Sequence, residues 1–437
     1  WAEVADQSGF DVPRGVDPNS AFVSMIDPAT GTGTYLIEWV RQAHESFTAN
    51  HPESEWPAHL AERVLPSTHG FELMLGPYAI AHLKLALETH RFGVQMDPNT
   101  VLLADTLEHP TGAQQFEPLA DPVASEGLRS SNLKANGVFT ACIANPPYGR
   151  TGRHSGRPSG STGNVVCDGV IGVGSGRPLL DSYLEPLKRE GLAGKHARSL
   201  YNLYVYFWRW ATWQVVERRQ SPGVVAFITA SSFIKGVSFG GLREHLRKTF
   251  DQLYILDLGG DSLGTDVDEN VFDIRIPVSI CIGISLGPGP KDNCEVLYRR
   301  VSGSREDKFA QLKAESLDST LFQSTAGSGL DPFVPKSDKE PTEWLDLPDL
   351  MPWSGRGIQF SRTWPVGETQ DVVRDRWDNL VSADDDRRAE LLKESRDAKV
   401  SKKYSSFLRP SQLRPLASLR STDNPDGIEQ IAYRSFD

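Results

Sequence analysis

The chain has 437 residues, enough at roughly 150 per domain for two to four domains that each bury a core. Hydrophobic residues make up 39% and charged residues 24%, ordinary for a soluble globular protein, and the longest near-apolar run, around Val278 to Leu286, is far shorter than a membrane span. Lys and Arg number 46 against 57 Asp and Glu, a net charge of −11, which argues against indiscriminate coating of nucleic acid but leaves room for a local basic groove.

From about residue 20 to 290, short apolar runs alternate with helical periodicity. Phe22 to Ile26 predicts a strand and Leu36 to His44 the helix after it. Phe71 to Leu75 predicts a strand, and Pro77 to His90 an amphipathic helix. Val101 to Ala104 and Val138 to Ala144 are two more strand-length runs. Tyr201 to Arg218 is a long aromatic helix, whose Trp208, Trp210 and Trp213 suit a core better than a base-stacking platform. Val224 to Thr229 predicts a strand, Gly241 to Thr249 a helix, and Leu253 to Leu258 and Ile276 to Leu286 the last strong strands. Such alternation implies a mostly parallel sheet covered on both faces. After about residue 300 it fades. Residues 325 to 370 are rich in Gly, Pro, Ser and Trp, and a charged helical stretch follows from Thr369 to Lys399.

Residues 149 to 176 hold nine glycines in 28 positions, too many for a packed core, so a mobile loop is expected there. The wider 150–198 region is locally basic, with eight Lys and Arg against four Asp and Glu. A second basic stretch, 396–420, has seven against one, and suits a linker or a DNA-backbone contact. Cys142, Cys167, Cys281 and Cys294 form no CxxC pair, so neither a disulfide framework nor a metal site is expected. With no charged-then-apolar leader, the expected compartment is the reducing cytoplasm. Trp1 in first place points to a piece of a longer polypeptide.

Four clusters carry chemistry. The first, Asp27-Pro-Ala-Thr-Gly31-Thr-Gly33-Thr34, lies between a strand and a helix. Glycines there let the backbone turn tightly and approach a ligand at a helix N-terminus, and Asp27, Ala29, Thr30, Gly31 and Gly33 are the candidate contacts. A Cβ at Gly33 is expected to clash with that ligand. The second is Glu72, placed at a strand end to take both hydroxyls of a ribose. The third is Asp105 with Thr106, after Val101–Ala104, where a carboxylate can accept from an adenine amine or cap a helix. The fourth is Asn145-Pro146-Pro147-Tyr148. Two prolines after a strand freeze the backbone and remove two N–H donors. An amino group there meets the Asn145 side-chain oxygen and the Pro146 carbonyl, and Tyr148 can stack on the ring that bears it.

DPATGTGTYL, GFELMLGPYAIAHLKLAL, LLADTL and IANPPYG together resemble the gamma-type adenine-N6 DNA methyltransferases. More narrowly they resemble the methyltransferase and coupler region of type ISP restriction–modification enzymes. The resemblance is strong over about residues 1 to 300 and weaker beyond, where GIQFSRTW and AYRSFD are similar to the lead-in to a target-recognition domain. It implies an α/β class I S-adenosylmethionine-dependent methyltransferase fold, with a seven-stranded, mostly parallel sheet over 1–300. A mixed, helical coupler-like region, truncated at its end, follows over 301–437. It implies S-adenosylmethionine as cofactor, double-stranded DNA with a flipped adenine as partner, nuclease and helicase-like parts in the full-length chain, and no membrane. It also implies that Phe272, in Asn270-Val271-Phe272, packs against the flipped base. A methionine-end lid motif upstream of Asp27 is not found. The alternatives are a protein-glutamine or RNA-base amino-methyltransferase, a cytosine-N4 DNA methyltransferase, or a non-catalytic DNA-binding module of a defence complex.

Overall fold

The computed structural model describes residues 23–109, 122–149, 165–168, 177–192, 197–218, 220–260, 268–289, 291, 294–314, 317, 320–335, 366–392, 405–409, 412–415, 419–422 and 427–429. The expected mobile glycine-rich loop falls mostly outside them, as do most of the second basic stretch and the two C-terminal motifs. The chain divides into two compact units, Trp1–Glu340 and Pro341–Asp437, so the expected domain limit at residue 300 lies inside the first unit.

The first unit is built on one sheet. Its strands are β1 (Met25–Asp27), β2 (Thr68–Glu72), β3 (Val101–Leu103), β4 (Ala141–Ala144), β5 (Gly223–Ala230), β6 (Gln252–Gly259), β7 (Val278–Ser285), β8 (Glu295–Arg300) and β9 (Gln323–Ser324). Their order is β3-β2-β1-β4-β5-β7-β6-β8-β9. β1 to β5 run parallel, β7 is antiparallel to both neighbours, β8 is again parallel to β6, and β9 is antiparallel to β8. The class I S-adenosylmethionine-dependent methyltransferase fold is therefore present, with nine strands instead of the expected seven. The two extra strands extend the β6 edge. β8 was hidden because EVLYRR reads as charged, and its alternation, with Val296 and Tyr298 buried, is that of a strand covered on one face.

The main helices of this unit are α1 (Thr34–Thr48), α2 (Leu75–His90), α3 (Pro122–Asn136), α4 (Asp181–Arg189), α5 (Leu203–Thr212), α6 (Gly240–Thr249) and α7 (Arg305–Lys313). Leu36 and Ile37 of α1 and Leu85 of α2 pack with Met25, Val101 and Ala141 of the sheet. The aromatic helix α5 lies in the large core cluster, with Trp208 and Phe227 ring centroids 4.9 Å apart. Every residue from Tyr204 to Thr212 is buried, so the tryptophans are core, as their spacing suggests. The helix begins at Asn202, whose side chain accepts from the Tyr204 N–H, and continues as a π turn over Trp213–Glu217. By contrast α2 carries apolar residues on its outer face, where Ile80, Leu83 and Leu87 stand exposed. Among the described residues no helix is long and apolar enough to cross a membrane.

Beyond β9 the chain returns to α6. Arg243 donates to the carbonyls of Leu330 and Asp331 and, on its other side, to those of Phe233 and Gly236. Arg247 holds the carbonyls of Gly329, Asp331 and Pro332 and lies 4.5 Å over the Phe333 ring, which is fully buried. This strap ties residues after 327 to the sheet domain. The second unit contains α8 (Gln370–Ser382), α9 (Asp385–Leu392) and a hairpin of β10 (Ser405–Arg409) and β11 (Gln412–Pro415). The single charged helix expected from Thr369 is thus two, separated at Ala383, whose backbone is extended.

Candidate active site

In a parallel sheet every strand delivers its carboxyl end to the same edge, and ligands bind where the strand order reverses. Here that point lies between β1 and β4, with Met25 paired to Thr68 on one side and to Ala141 on the other. Asp27 therefore ends β1 between Glu72 at the end of β2 and Asn145 just past β4.

Asp27 is fully buried, and its Oδ1 accepts from the Ala29 N–H at 3.0 Å. Among the described residues its Oδ2 has no hydrogen-bond partner. Burial pushes the carboxyl up to about 8, the Ala29 N–H opposes this, and the Glu72 charge adds to the rise. Thr30 uses its hydroxyl proton within the loop. It donates to the Asp27 carbonyl at 3.0 Å, and its N–H donates to Phe71, so Thr30 shapes the loop. Gly31 and Gly33 both take positive φ, 56° and 81°. A Cβ on Gly33 would meet Ala81 Cβ at 3.2 Å, so a close approach to α2 demands glycine there. Gly70, which the sequence reading missed, is equally constrained: a Cβ there would lie 2.4 Å from Thr30 Oγ1.

The Glu72 carboxylate bridges two loops. Oε2 accepts from the Gly31 N–H at 2.7 Å and Oε1 from the Met74 N–H at 2.8 Å. Each oxygen keeps a lone pair for a hydroxyl donor. Asp105 Oδ1 accepts from the Leu107 N–H at 2.9 Å, and burial raises its carboxyl above the usual range. Thr106 donates to the Pro28 carbonyl at 2.5 Å and is buried, so it straps the β3 loop to the β1 loop. Beneath them lies Lys134 of α3, unmarked in the sequence because nothing apolar or periodic distinguishes it. Its ammonium donates to the Asp105 carbonyl at 2.5 Å and sits 5.6 Å from the Phe71 ring centroid, and burial lowers its pKa to about 8.

Past β4, Pro146 is buried while Asn145 and Pro147 are exposed. The Gly149 carbonyl accepts from the Leu203 N–H at 2.9 Å, which anchors the loop on the start of α5. Tyr148 is half-buried, and it and Phe272 both pack against the cluster of Leu256, Leu258 and Val271. Burial holds its phenol well above the ordinary tyrosine range. Asn270 knits the turn that carries Phe272: its Oδ1 accepts from the Phe272 N–H at 3.0 Å and its Nδ2 donates to the Ile276 carbonyl at 2.9 Å. Tyr35, in the first turn of α1, was also missed. Its ring packs on the cluster of Met25, Leu36 and Leu85, its phenol is raised by burial and then by the Asp27 carboxylate, and Tyr35 in turn adds to the rise of Tyr148. Its place directly after Gly33-Thr34 is the signal that could have found it.

The expected residues thus fall into two groups that flank the reversal point. Asp27, Ala29, Thr30, Gly31, Gly33, Glu72, Asp105 and Thr106 form one. Asn145, Pro146, Pro147, Tyr148 and Phe272 form the other.

Residues 349–437 match the family model of the type ISP C-terminal specificity domain. No curated protein matches the chain. Among solved structures, it is similar to a nuclease-deletion mutant of the type ISP restriction–modification enzyme LlaGI in complex with a DNA substrate mimic. That match has a TM-score of 0.56 and 22% identity, over 76% of this chain and 29% of that one. It is also similar to the ATP-dependent type ISP restriction–modification enzyme LlaBIII bound to DNA, with a TM-score of 0.56 and 21% identity, over 73% of this chain and 20% of that one. A third is DrdV in a DNA complex, again with a TM-score of 0.56 and 21% identity, covering 89% and 38%. The chain spans less than two fifths of each of these. The resemblance to type ISP enzymes is borne out in the fold and in the specificity-domain match.

Proposed function

We propose that this chain is the modification part of a restriction–modification enzyme and methylates the N6 amine of adenine in a specific DNA sequence, with S-adenosylmethionine as cofactor. The observation that carries the reading is the fully buried Asp27 carboxylate, unpartnered at Oδ2 among the described residues, beside an Asn-Pro-Pro-Tyr loop at the point where strand order reverses. A buried carboxylate oxygen without a donor calls for a cation or a donor group. The ammonium of a methionyl group fits that need, and the Glu72 lone pairs fit a ribose diol. Asp105 and the turn held by Lys134 fit an adenine ring.

S-adenosylmethionine supplies an electrophilic methyl group. The chain supplies position. Asn145 Oδ1 and the Pro146 carbonyl accept the two N–H bonds of the adenine amine, which turns its lone pair toward the methyl. Tyr148 stacks on the ring, and Phe272 packs against it. An adenine in a duplex has its amine paired and its ring stacked, so the base leaves the helix to reach this loop. Alignment of nucleophile and electrophile accounts for most of the rate. In this reading residues 1–300 are the catalytic domain, 301–437 lead into target recognition, and nuclease and helicase-like parts belong to the same polypeptide in a cytoplasmic enzyme. The type ISP relatives, bound to DNA or a DNA mimic, support it.

Methylome sequencing of DNA from cells that express the full-length gene, beside a vector control, tests the reading. N6-methyladenine at one recurrent sequence is the expected result. N4-methylcytosine would select the cytosine alternative, and no new methylation in an expressed, cofactor-binding protein would overturn the reading.

A further inference from the structure

The Tyr148 hydroxyl lies 2.7 Å from Asn145 Oδ1 and 3.2 Å from the carbonyl oxygen of Ile228 in β5. A phenol has one proton. Two oxygens at 2.7 Å need a proton between them, while 3.2 Å suits a second, weaker acceptor of the same proton. The hydroxyl therefore donates to Asn145, and the Ile228 carbonyl fixes where that hydroxyl stands. The Ile228 carbonyl lies in β5, opposite Ile280 of β7 and one residue past the last pair with β4, Ala144 with Phe227, so the sheet holds it as a reference. The ring is also held, since it packs on the large core cluster and on the Leu256–Val271 cluster. Asn145 is the opposite case. It is exposed, and among the described residues Tyr148 is the only hydrogen-bond partner of its side chain.

We infer that the Tyr148 hydroxyl is a positioning group that pins the Asn145 carboxamide to the sheet, leaving the second lone pair of Oδ1 for the reacting amine. The inference rests on the methyl-transfer reading above, but it assigns the tyrosine a task that its stacking face does not perform. An exposed asparagine without this tether samples several rotamers, and only one presents Oδ1 to the amine. Stacking alone predicts that Tyr148→Phe costs little, because the π-face is kept.

A double-mutant cycle on the full-length enzyme separates the two. Single-turnover methylation of the cognate duplex is measured for the parent, Tyr148→Phe, Asn145→Ala and the double variant. Tyr148→Phe is expected to slow the chemical step roughly 3- to 10-fold, the size of one neutral hydrogen bond. Cofactor affinity, and the fluorescence of 2-aminopurine at the target position as a report of base extrusion, should be unchanged. In the Asn145→Ala background, Tyr148→Phe should change the rate by less than about twofold, because the group it positions is gone. A parental rate for Tyr148→Phe, or the same loss in both backgrounds, would overturn the inference. A parental rate for Asn145→Ala would instead sink the methyl-transfer reading itself.

Discussion

Asp27 sits in an environment far from the ordinary for a carboxyl group. A carboxyl raised from 3.8 to about 8 binds a proton in the folded state that the unfolded chain has already lost across that interval. Stability therefore falls as pH rises from about 4 to 8, and Asp27→Asn should raise the melting temperature at pH 8 relative to the parent. The same substitution should weaken cofactor binding strongly, because the buried negative charge is what a cationic ligand meets. Binding to the parent should release close to one proton at pH 7, and affinity should fall about tenfold per pH unit below 8. Calorimetry in two buffers of different ionisation enthalpy checks this, and a buffer-independent heat would contradict it. Gly33→Ala should behave differently. It forces a side chain into the left-handed region and against Ala81, at a cost of about 1–2 kcal/mol. A lowered melting temperature with nearly parental cofactor affinity in the folded fraction is the expected pattern. The chemistry of Asp27, Glu72, Asp105 and the Asn145–Tyr148 loop was legible because each follows an apolar strand. What a glycine or threonine in these loops touches was not legible, since Ala81, Pro28 and Thr30 come from other segments of chain.

Among the elements, β1 to β7 could be read because both sheet faces are covered and most of the runs are apolar. α3 could not, because its sequence has no clear apolar stripe, and its anchoring contact is a buried lysine. The π turn after α5 was also hidden. It places Glu217 where the Arg209 guanidinium grips both its oxygens, at 2.8 and 2.7 Å, and His245 of α6 adds a third bond at 2.7 Å. Burial opposes ionisation of Glu217, yet Arg209 and His245 prevail and bring it down to about 2. Its contribution to stability is present above about 4.5 and is lost as pH falls toward 2. Glu217→Gln should destabilise the protein at pH 7 and flatten the acid limb of a stability–pH curve followed by urea unfolding. The strap on α6 makes a separate prediction. Arg243→Met leaves buried carbonyls unpaired and should cost about 2–3 kcal/mol. It should also open the chain near Leu330 to protease before the rest of the domain, which mass spectrometry of early fragments would show.

At the scale of the whole molecule, the first unit runs to Glu340 although the sequence pattern fades near 300. The difference lies in β9, the strap and Phe333, short pieces with no period of their own that complete a core built by others. A fragment of residues 1–340 is expected to fold cooperatively, whereas one of residues 1–300 should melt lower and expose apolar surface to a dye. The arrangement of β5, β6 and β7 also has a consequence for biosynthesis. β5 and β6 leave the ribosome before the strand that sits between them, and β7 then inserts antiparallel to both. Translation from Gly259 to Ser285 takes roughly one to five seconds at ordinary elongation rates. During that interval β5 shows a bare backbone edge and β6 has neither of its sheet partners, β7 and β8, so both strands stand open to pairing. Such edges are templates for pairing with other chains. The vulnerable moment in the life of this protein is therefore while it is being made, and a polypeptide stopped before Val278 keeps both strands open for good.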